Sequence, residues 1–126
     1  MTYVESALEP THRQRLPAPG TTDVVIGLPT YKNSRTIGNV INALGEGLAT
    51  PFHGARAIIV VSDGGSTDDT LAIARRTPLP ERVALLGTAY RGLTGKGSAI
   101  RAVLEVADIV RARACAIVDA DVRSIT

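Results

Sequence analysis

The sequence has 126 residues, of which 44% are hydrophobic and only 3% aromatic, and its formal net charge is +2. That charge is too small, and the Lys and Arg residues are too scattered, to predict a nucleic-acid partner. A single cysteine excludes an internal disulfide and a zinc site built from cysteines. No apolar run approaches the roughly 18 residues of a membrane span. We therefore expect a cytoplasmic protein, with peripheral association with a membrane left open.

Predicted strands and helices alternate along the chain. Residues 1–22 read as a polar, proline-containing arm, and residues 23–126 as one domain. Short apolar runs predict strands over 24–28, 57–61, 83–86 and 115–118, the first of them ended by Pro29. Apolar residues at helical spacing predict helices over 36–48, 67–76 and 98–110. This order predicts an α/β domain with a mostly parallel sheet and helices on both of its faces.

Three finer expectations concern packing. The second helix should begin at Ser66 or Thr67, with Asp68 and Asp69 in its first turn. Cys115 lies in the apolar run of the fourth strand, so we expect it in the core. The third helix should bury one face, formed by Ile100, Val103, Leu104 and Ala107. Because the chain stops just after the fourth strand, we also expect it to be a truncated domain.

Polar clusters follow each predicted strand, at the edge where open parallel sheets bind ligands. They span residues 29–33, 62–69, 91–97 and 119–121. In the last cluster, Asp119 and Asp121 carry carboxylates that repel each other unless a cation lies between them. Carboxylate oxygens suit a hard divalent ion, so we predict that these two residues bind Mg²⁺ or Mn²⁺ together with substrate phosphates. A solvated turn with two acids is the alternative.

Two further clusters suggest a nucleotide ligand. Asp63 precedes glycines, including Gly64, that permit close approach of a ligand, and its carboxylate could accept hydrogen bonds from a base or a ribose, or cap the turn into the next helix. Lys96 lies between glycines before a helix and can reach a phosphate, with a solvated lysine in a flexible loop as the alternative. A P-loop is excluded because Tyr90 stands where glycine is needed and Gly97 where Ser or Thr is needed. The absence of G-x-G-x-x-G after the first strand disfavours a dinucleotide-binding domain.

Together these segments resemble the family 2 type of glycosyltransferase with the GT-A fold. The resemblance covers residues 23–126 and is carried by the run 24–31, the segment 60–70 and Asp119-Ala120-Asp121. It implies a Rossmann-like domain that binds a UDP- or GDP-sugar, depends on a divalent metal and transfers the sugar to a hydroxyl acceptor. Lys32-Asn33 departs from the family, whose first turn usually carries an acid at that place.

The resemblance also implies roles for individual residues. Asp63 would contact the base, Asp119 would lie near the ribose or the metal, and Asp121 would hold the metal on the diphosphate. The implied nucleotide-sugar site comprises Pro29, Thr30, Tyr31, Asn33, Asp63, Gly64, Lys96, Asp119 and Ala120. In the family, the catalytic base and the acceptor site lie further along the chain. We therefore identify no catalytic residue here and expect this chain alone to be inactive.

A narrower likeness concerns residues 95–97 and 119–124, which are similar to those of glucosyl-3-phosphoglycerate synthases and mannosylglycerate-type enzymes. It makes 3-phosphoglycerate a candidate acceptor, with a lipid phosphate as another, and a homodimer stays open. The alternative is a nucleotide-binding or regulatory module without catalysis. A phosphotransferase of the D-x-D-x-T type is excluded, because Arg123 stands where the pattern needs threonine.

Overall fold

A computed structural model describes residues 14–49, 55–90 and 95–121. The elements are β1 (Val24–Thr30), α1 (Ile37–Ala49), β2 (Ala57–Asp63), α2 (Thr70–Arg76), β3 (Val83–Ala89), α3 (Lys96–Val110) and β4 (Ala114–Ile117). The strands form one parallel sheet in the order β3-β2-β1-β4. This confirms the predicted α/β fold. The order reverses between β1 and β4, where such sheets open a crevice for ligands.

Two apolar clusters form the core, one on each face of the sheet. Successive strand residues point to opposite faces, so Ile26 packs with α1 and α2 while Val25 packs with α3. Val103 and Val106 of α3 are fully buried against β1 and β2. Complete burial of each such aliphatic side chain contributes about 1.5–3 kcal/mol. The two clusters hold α1 and α3 on opposite sides of β1.

β1 extends two residues past the predicted end and includes Pro29. In a parallel ladder, alternate residues bond to opposite neighbours, and here Gly27 bonds toward β4 while Thr30 bonds toward β2. The missing N–H of Pro29 therefore faces the β4 side. The ladder with β4 has ended by then, at the pair of Gly27 with Ile117. Pro29 thus costs no ladder bond, which explains why it does not stop the strand.

The predicted beginning of α2 was wrong, because the helix starts at Thr70. The Ser66 hydroxyl bonds to Asp63 instead of capping a helix. Asp68 and Asp69 precede the helix, and Asp68 Oδ1 accepts the Thr70 amide at 3.1 Å and also its hydroxyl. These hydrogen bonds, the Thr70 hydroxyl foremost, hold the pKa of Asp68 below its ordinary value.

The predicted buried face of the third helix was wrong at Leu104, which is 53% exposed. The helix begins two residues earlier than predicted, at Lys96, and its buried positions follow a different line. That line runs through Ala99, Ala102, Val103, Val106 and Val110. Leu104 instead lies beside Arg101 and Glu105, which form an ion pair one turn apart.

The expectation that Cys115 is a core residue was also wrong, since it is exposed. All four residues of β4 are exposed. β4 is one of the two edge strands, and among the described residues the cluster beneath α3 draws its strand side chains from the other three strands. An apolar sequence therefore forms a strand here without being covered on its faces. Partial burial of the thiol still raises the pKa of Cys115.

The described end of the N-terminal arm lies against the domain. Leu16 packs on the cluster beneath α3, and the Gly20 amide donates to the Val110 carbonyl at 2.9 Å. Thr22 is buried. These contacts join the arm to the end of α3. No helix within residues 14–49, 55–90 and 95–121 is long and apolar enough to cross a membrane.

Candidate active site at the carboxyl edge of the sheet

A cavity of about 690 Å³ opens beyond the carboxyl ends of the strands. Its volume is in the usual range for small-molecule sites. Seven of the predicted site residues line it: Pro29, Thr30, Tyr31, Asn33, Gly64, Asp119 and Asp121. Gly65 and Gly95, which belong to the predicted clusters but were given no role as site residues, also line it. The remaining lining residues were not predicted: Tyr90, Ala99, Ile117 and Val118. The strand-end clusters therefore do meet at one edge, as parallel strands require.

The turn after β1 is held by the loop after β2. The Tyr31 amide donates to Asn33 Oδ1 at 2.8 Å, and the Asn33 amide donates to the Thr70 hydroxyl at 2.9 Å. Lys32 has a positive φ of 55°, and its amide donates to the Ser66 hydroxyl at 2.7 Å. Its ammonium lies 5.3 Å from the centroid of the Tyr31 ring. These bonds fix the backbone of the turn while the Tyr31 side chain stays exposed to the cavity.

Asp119 and Asp121 lie together at the rim of the cavity, and both are exposed. The Asp121 amide donates to Asp119 Oδ1 at 3.0 Å, and the Asn33 side-chain amide donates to Asp121 Oδ1 at 2.5 Å. The side chain of Ala120 points the other way and is buried in the cluster beneath α1. Its carbonyl accepts the Thr36 hydroxyl at 2.6 Å. Ala120 therefore anchors the loop and does not line the cavity.

The acidic pair offers a partial donor set for a cation. Among the described residues, no group of three or more His, Cys, Asp or Glu side chains lies close enough together to hold a metal. Two exposed carboxylates suit Mg²⁺ or Mn²⁺ only where a ligand supplies further oxygens, as phosphates do. This donor set fits an ion bound jointly with a phosphate-bearing substrate, and not a closed structural site.

Asp63 is buried at the end of β2 and is only 1% exposed. Its Oδ1 accepts the hydroxyls of Thr30, at 2.7 Å, and Ser66, at 2.6 Å. Its Oδ2 accepts the amides of Gly65, at 3.0 Å, and Ser66, at 2.7 Å. A carboxylate has about four acceptor positions, and all are used within the protein. In this arrangement, a base could bond to Asp63 only by displacing one of these partners.

Gly64 lies between two tyrosines that come from different strand ends. A Cβ there would lie 2.9 Å from Tyr90 Oη and 3.5 Å from Tyr31 Cδ1, so a larger residue would push into the cavity wall. The Tyr90 amide donates to the Asp63 carbonyl at 3.1 Å, and its hydroxyl accepts the Gly95 amide at 2.9 Å. Tyr90 was missed because β3 was predicted to end at Leu86. The actual strand ends at Ala89 and places Tyr90 at the ligand edge.

The first turn of α3 borders the cavity through Gly95 and Ala99. Gly95 has a φ of 143°, and its carbonyl accepts the Ala99 amide at 3.2 Å as the helix begins. The unpaired amides of a helix start attract anions. Lys96 is the first residue of the helix, but its side chain lies outside the described part of the structure. So do His12, His53 and residues 91–94 and 122–126.

Comparison with solved structures shows which fold this is. The crystal structure of mannosyl-3-phosphoglycerate synthase from Rubrobacter xylanophilus matches 90% of this chain with a TM-score of 0.60 and 20% identity. The crystal structure of a mycobacterial protein matches 78% of the chain with 24% identity and a lower TM-score of 0.41, and the match covers 30% of that protein. No protein-family model and no curated protein matches the sequence. The chain spans 38% of the length of the synthase. The likeness to the synthase shows that this chain has a Rossmann-like, glycosyltransferase-like fold.

Proposed function

We propose that this chain binds a nucleoside-diphosphate sugar and forms the donor-binding part of a glycosyltransferase. One observation carries the proposal. The pair of acids in the loop after β4, the two tyrosines beside Gly64 and the start of α3 surround one cavity in a glycosyltransferase-like fold. The three features suit the metal-bridged phosphates, the base and the diphosphate of such a donor, respectively. The donor would be a UDP- or GDP-sugar, and the group transferred a hexosyl unit.

The exposed tyrosine beside Gly64 supplies a face for a planar base. Tyr31 is 55% exposed, and its ring borders the cavity on the β1 side, opposite Tyr90. Burying part of an aromatic side chain against a flat ligand releases water from apolar surface on both partners. The Asp63 carboxylate acts at this end of the site chiefly by shaping the loop that carries Gly64.

The diphosphate would lie between Asp121 and the start of α3. Transfer breaks the bond between the sugar and the diphosphate oxygen, and the leaving diphosphate keeps the electron pair. A divalent cation, when bound, offsets the charge that builds on that oxygen. Asp121 and Asp119 would hold the cation, while the first-turn amides of α3 and Lys96 would stabilise the phosphate oxygens directly. The site would thereby stabilise the leaving group more strongly than the intact donor.

The acceptor would be a hydroxyl compound. Its oxygen would form a bond to the sugar carbon as the bond between that carbon and the diphosphate oxygen breaks. The narrower likeness of residues 95–97 and 119–124 favours 3-phosphoglycerate, with a lipid phosphate as the second candidate. Deprotonation of the acceptor requires a base, and we assign none among the described residues. Catalysis by the whole protein is therefore part of the proposal, whereas donor binding is the part that this chain can test.

Calorimetry with UDP and GDP, with and without Mn²⁺, tests the proposal. We expect at least one nucleotide to bind the chain, more tightly with Mn²⁺, and Asp121→Ala to lose the Mn²⁺-dependent part. Asp108→Ala is the matched control, because Asp108 is exposed on α3, about 18 Å along the helix from its first residue. Absence of binding of either nucleotide to the chain would contradict the proposal. Metal-independent binding would favour the alternative, a nucleotide-binding module without catalysis.

A second assay addresses transfer itself. The whole protein, given UDP-glucose or a GDP-sugar with 3-phosphoglycerate and Mn²⁺, should release the nucleoside diphosphate in proportion to the glycosylated product. Release of the diphosphate without product would indicate donor hydrolysis and another acceptor. Asp121→Ala and Asp108→Ala serve as the same matched pair, and only the first should lose activity.

A further inference from the structure

We propose that Asn33 is a positioning residue that orients the Asp121 carboxylate for a divalent cation. This inference rests on the proposed function and gives Asn33 a different task from contact with the nucleotide sugar. The Asn33 amide joins the turn after β1 to the loop after β4, because its Nδ2 donates to Asp121 Oδ1 at 2.5 Å. β1 and β4 are neighbours in the sheet, at the point where the strand order reverses.

Asn33 is fixed independently of Asp121. Its Oδ1 accepts the Tyr31 amide at 2.8 Å, so the NH₂ group must face the carboxylate and not the turn. Its backbone amide donates to the Thr70 hydroxyl at 2.9 Å, and its carbonyl accepts the Ile37 amide at 2.9 Å where α1 begins. Asn33 is half-buried, whereas Asp121 is exposed. The asparagine therefore sets the orientation of the carboxylate, and not the reverse.

Among the described side chains, this arrangement engages one oxygen of Asp121 and not the other. Oδ1 accepts the Asn33 amide, and Oδ2 accepts no hydrogen bond from any described group, a set that does not include the side chain of Lys96. A neutral N–H donor on one oxygen restrains the carboxylate without cancelling its charge, so the other oxygen stays a good ligand for a hard cation. Hydrogen-bond partners that orient metal ligands in this way typically contribute about 10–100-fold to metal affinity.

The same geometry explains what an amide does here that an acid would not. A carboxylate at residue 33 could still accept the Tyr31 amide, but its second oxygen would face Asp121 Oδ1 at hydrogen-bond distance. Without a metal, the two charges would repel, whereas a bound cation would offset that repulsion. Asn33 thus allows the loop after β4 to hold its position before any metal arrives.

Two substitutions test this role through metal affinity and thermal stability. For Asn33→Ala, we expect the Kd for Mn²⁺, measured by calorimetry in the presence of whichever of UDP and GDP binds the wild type, to rise about 10-fold or more. For Asn33→Asp, we expect a lower melting temperature than that of the wild type without metal. Addition of Mn²⁺ with the same nucleotide should then raise its melting temperature by more than it raises that of the wild type. Asn42→Asp is the control, because it makes the same exchange at an exposed position of α1 beyond its first turn and should change neither quantity.

The outcomes separate the inference from the proposed function. If Mn²⁺ strengthens the binding of neither UDP nor GDP to the wild type, the proposed function fails, and this inference fails with it. If the wild type binds Mn²⁺ with one of these nucleotides and Asn33→Ala does so with equal affinity, only the inference is overturned. If Asn33 had only a structural role, each variant would melt below the wild type by the same interval with and without Mn²⁺. That result would also overturn the inference. If Asn33→Ala does not fold, the response of Asn33→Asp to Mn²⁺ decides alone.

Discussion

Replacing Asp63 with asparagine should destabilise the whole ligand edge of the domain. The carboxylate accepts four hydrogen bonds while only 1% exposed. An amide can accept on one side only, so its NH₂ group would face either the amides of Gly65 and Ser66 or the hydroxyls of Thr30 and Ser66. The hydroxyls can rotate and accept, so the less costly orientation keeps the two amides bonded to oxygen.

The magnitude follows from what Asp63→Asn still loses in that orientation. All four hydrogen bonds to a charged acceptor, each contributing about 1.5–3 kcal/mol, become bonds between neutral groups contributing about 0.5–1.5 kcal/mol. The expected loss in the free energy of unfolding is therefore about 4–6 kcal/mol. Thr30→Val, which removes one of the four donors and keeps the side-chain shape, should cost about 1.5–3 kcal/mol.

Urea unfolding followed by circular dichroism measures both losses, since the chain has no tryptophan to report by fluorescence. UDP and uridine binding should then weaken together in Asp63→Asn, because the loop that carries Gly64 has moved. The contrary result would be an Asp63→Asn protein as stable as the wild type that binds uridine much more weakly. Asp63 would then contact the base directly, as the sequence resemblance implies, and the internal bonds would be incidental.

Two other predictions concern the packing and the acid stability of the fold. A Cβ on Gly27 would lie 2.5 Å from Val103 Cγ1, so Gly27→Ala should cost about 1–3 kcal/mol in unfolding free energy, and the double variant with Val103→Ala should lose less than the two single losses added. Strict additivity in the same urea measurement would contradict that contact. The Thr70 bonds lower the pKa of Asp68, so its contribution to stability exists above its ordinary pKa of 3.8 and disappears as the pH falls through the lower value of the folded state. Asp68→Asn should therefore lose less stability than the wild type between about pH 6 and about pH 3, and an equal loss in both proteins would refute the assignment.

The layered fold could be predicted because strands and helices have different apolar periods. Runs such as 57–61 are uniformly apolar, as strands covered on both faces must be, and Ile37, Val40 and Ile41 repeat at helical spacing. The polar ends of the strands then had to meet at one edge, which is why seven of the predicted site residues line the cavity. These properties depend on local sequence and on the general geometry of parallel sheets.

The features that could not be predicted depend on which element lies beside which. Cys115 belongs to an apolar run, but its exposure follows from the position of β4 at the sheet edge. The apolar pattern within a segment does not determine where that strand lies in the sheet. Pro29 continues a strand only because its missing N–H faces the side where β4 has ended. Tyr90 could be assigned to the site only from the actual end of β3 at Ala89, because that end places Tyr90 at the ligand edge of the sheet.

The bonds that join one strand-end loop to the next organise the site across the sheet. Going across the sheet from β3 to β4, each loop bonds to its neighbour in turn. The pairs are Tyr90 with the Asp63 carbonyl, Gly64 with the Thr30 carbonyl, and Asn33 with Asp121. The first two are backbone bonds that continue the ladder past the strands, so they depend little on side chains. The third is made by side chains alone, so a substitution can break it and leave the ladder intact. The link between the turn after β1 and the acidic loop is therefore where the proposed metal affinity should be most easily changed without unfolding the sheet.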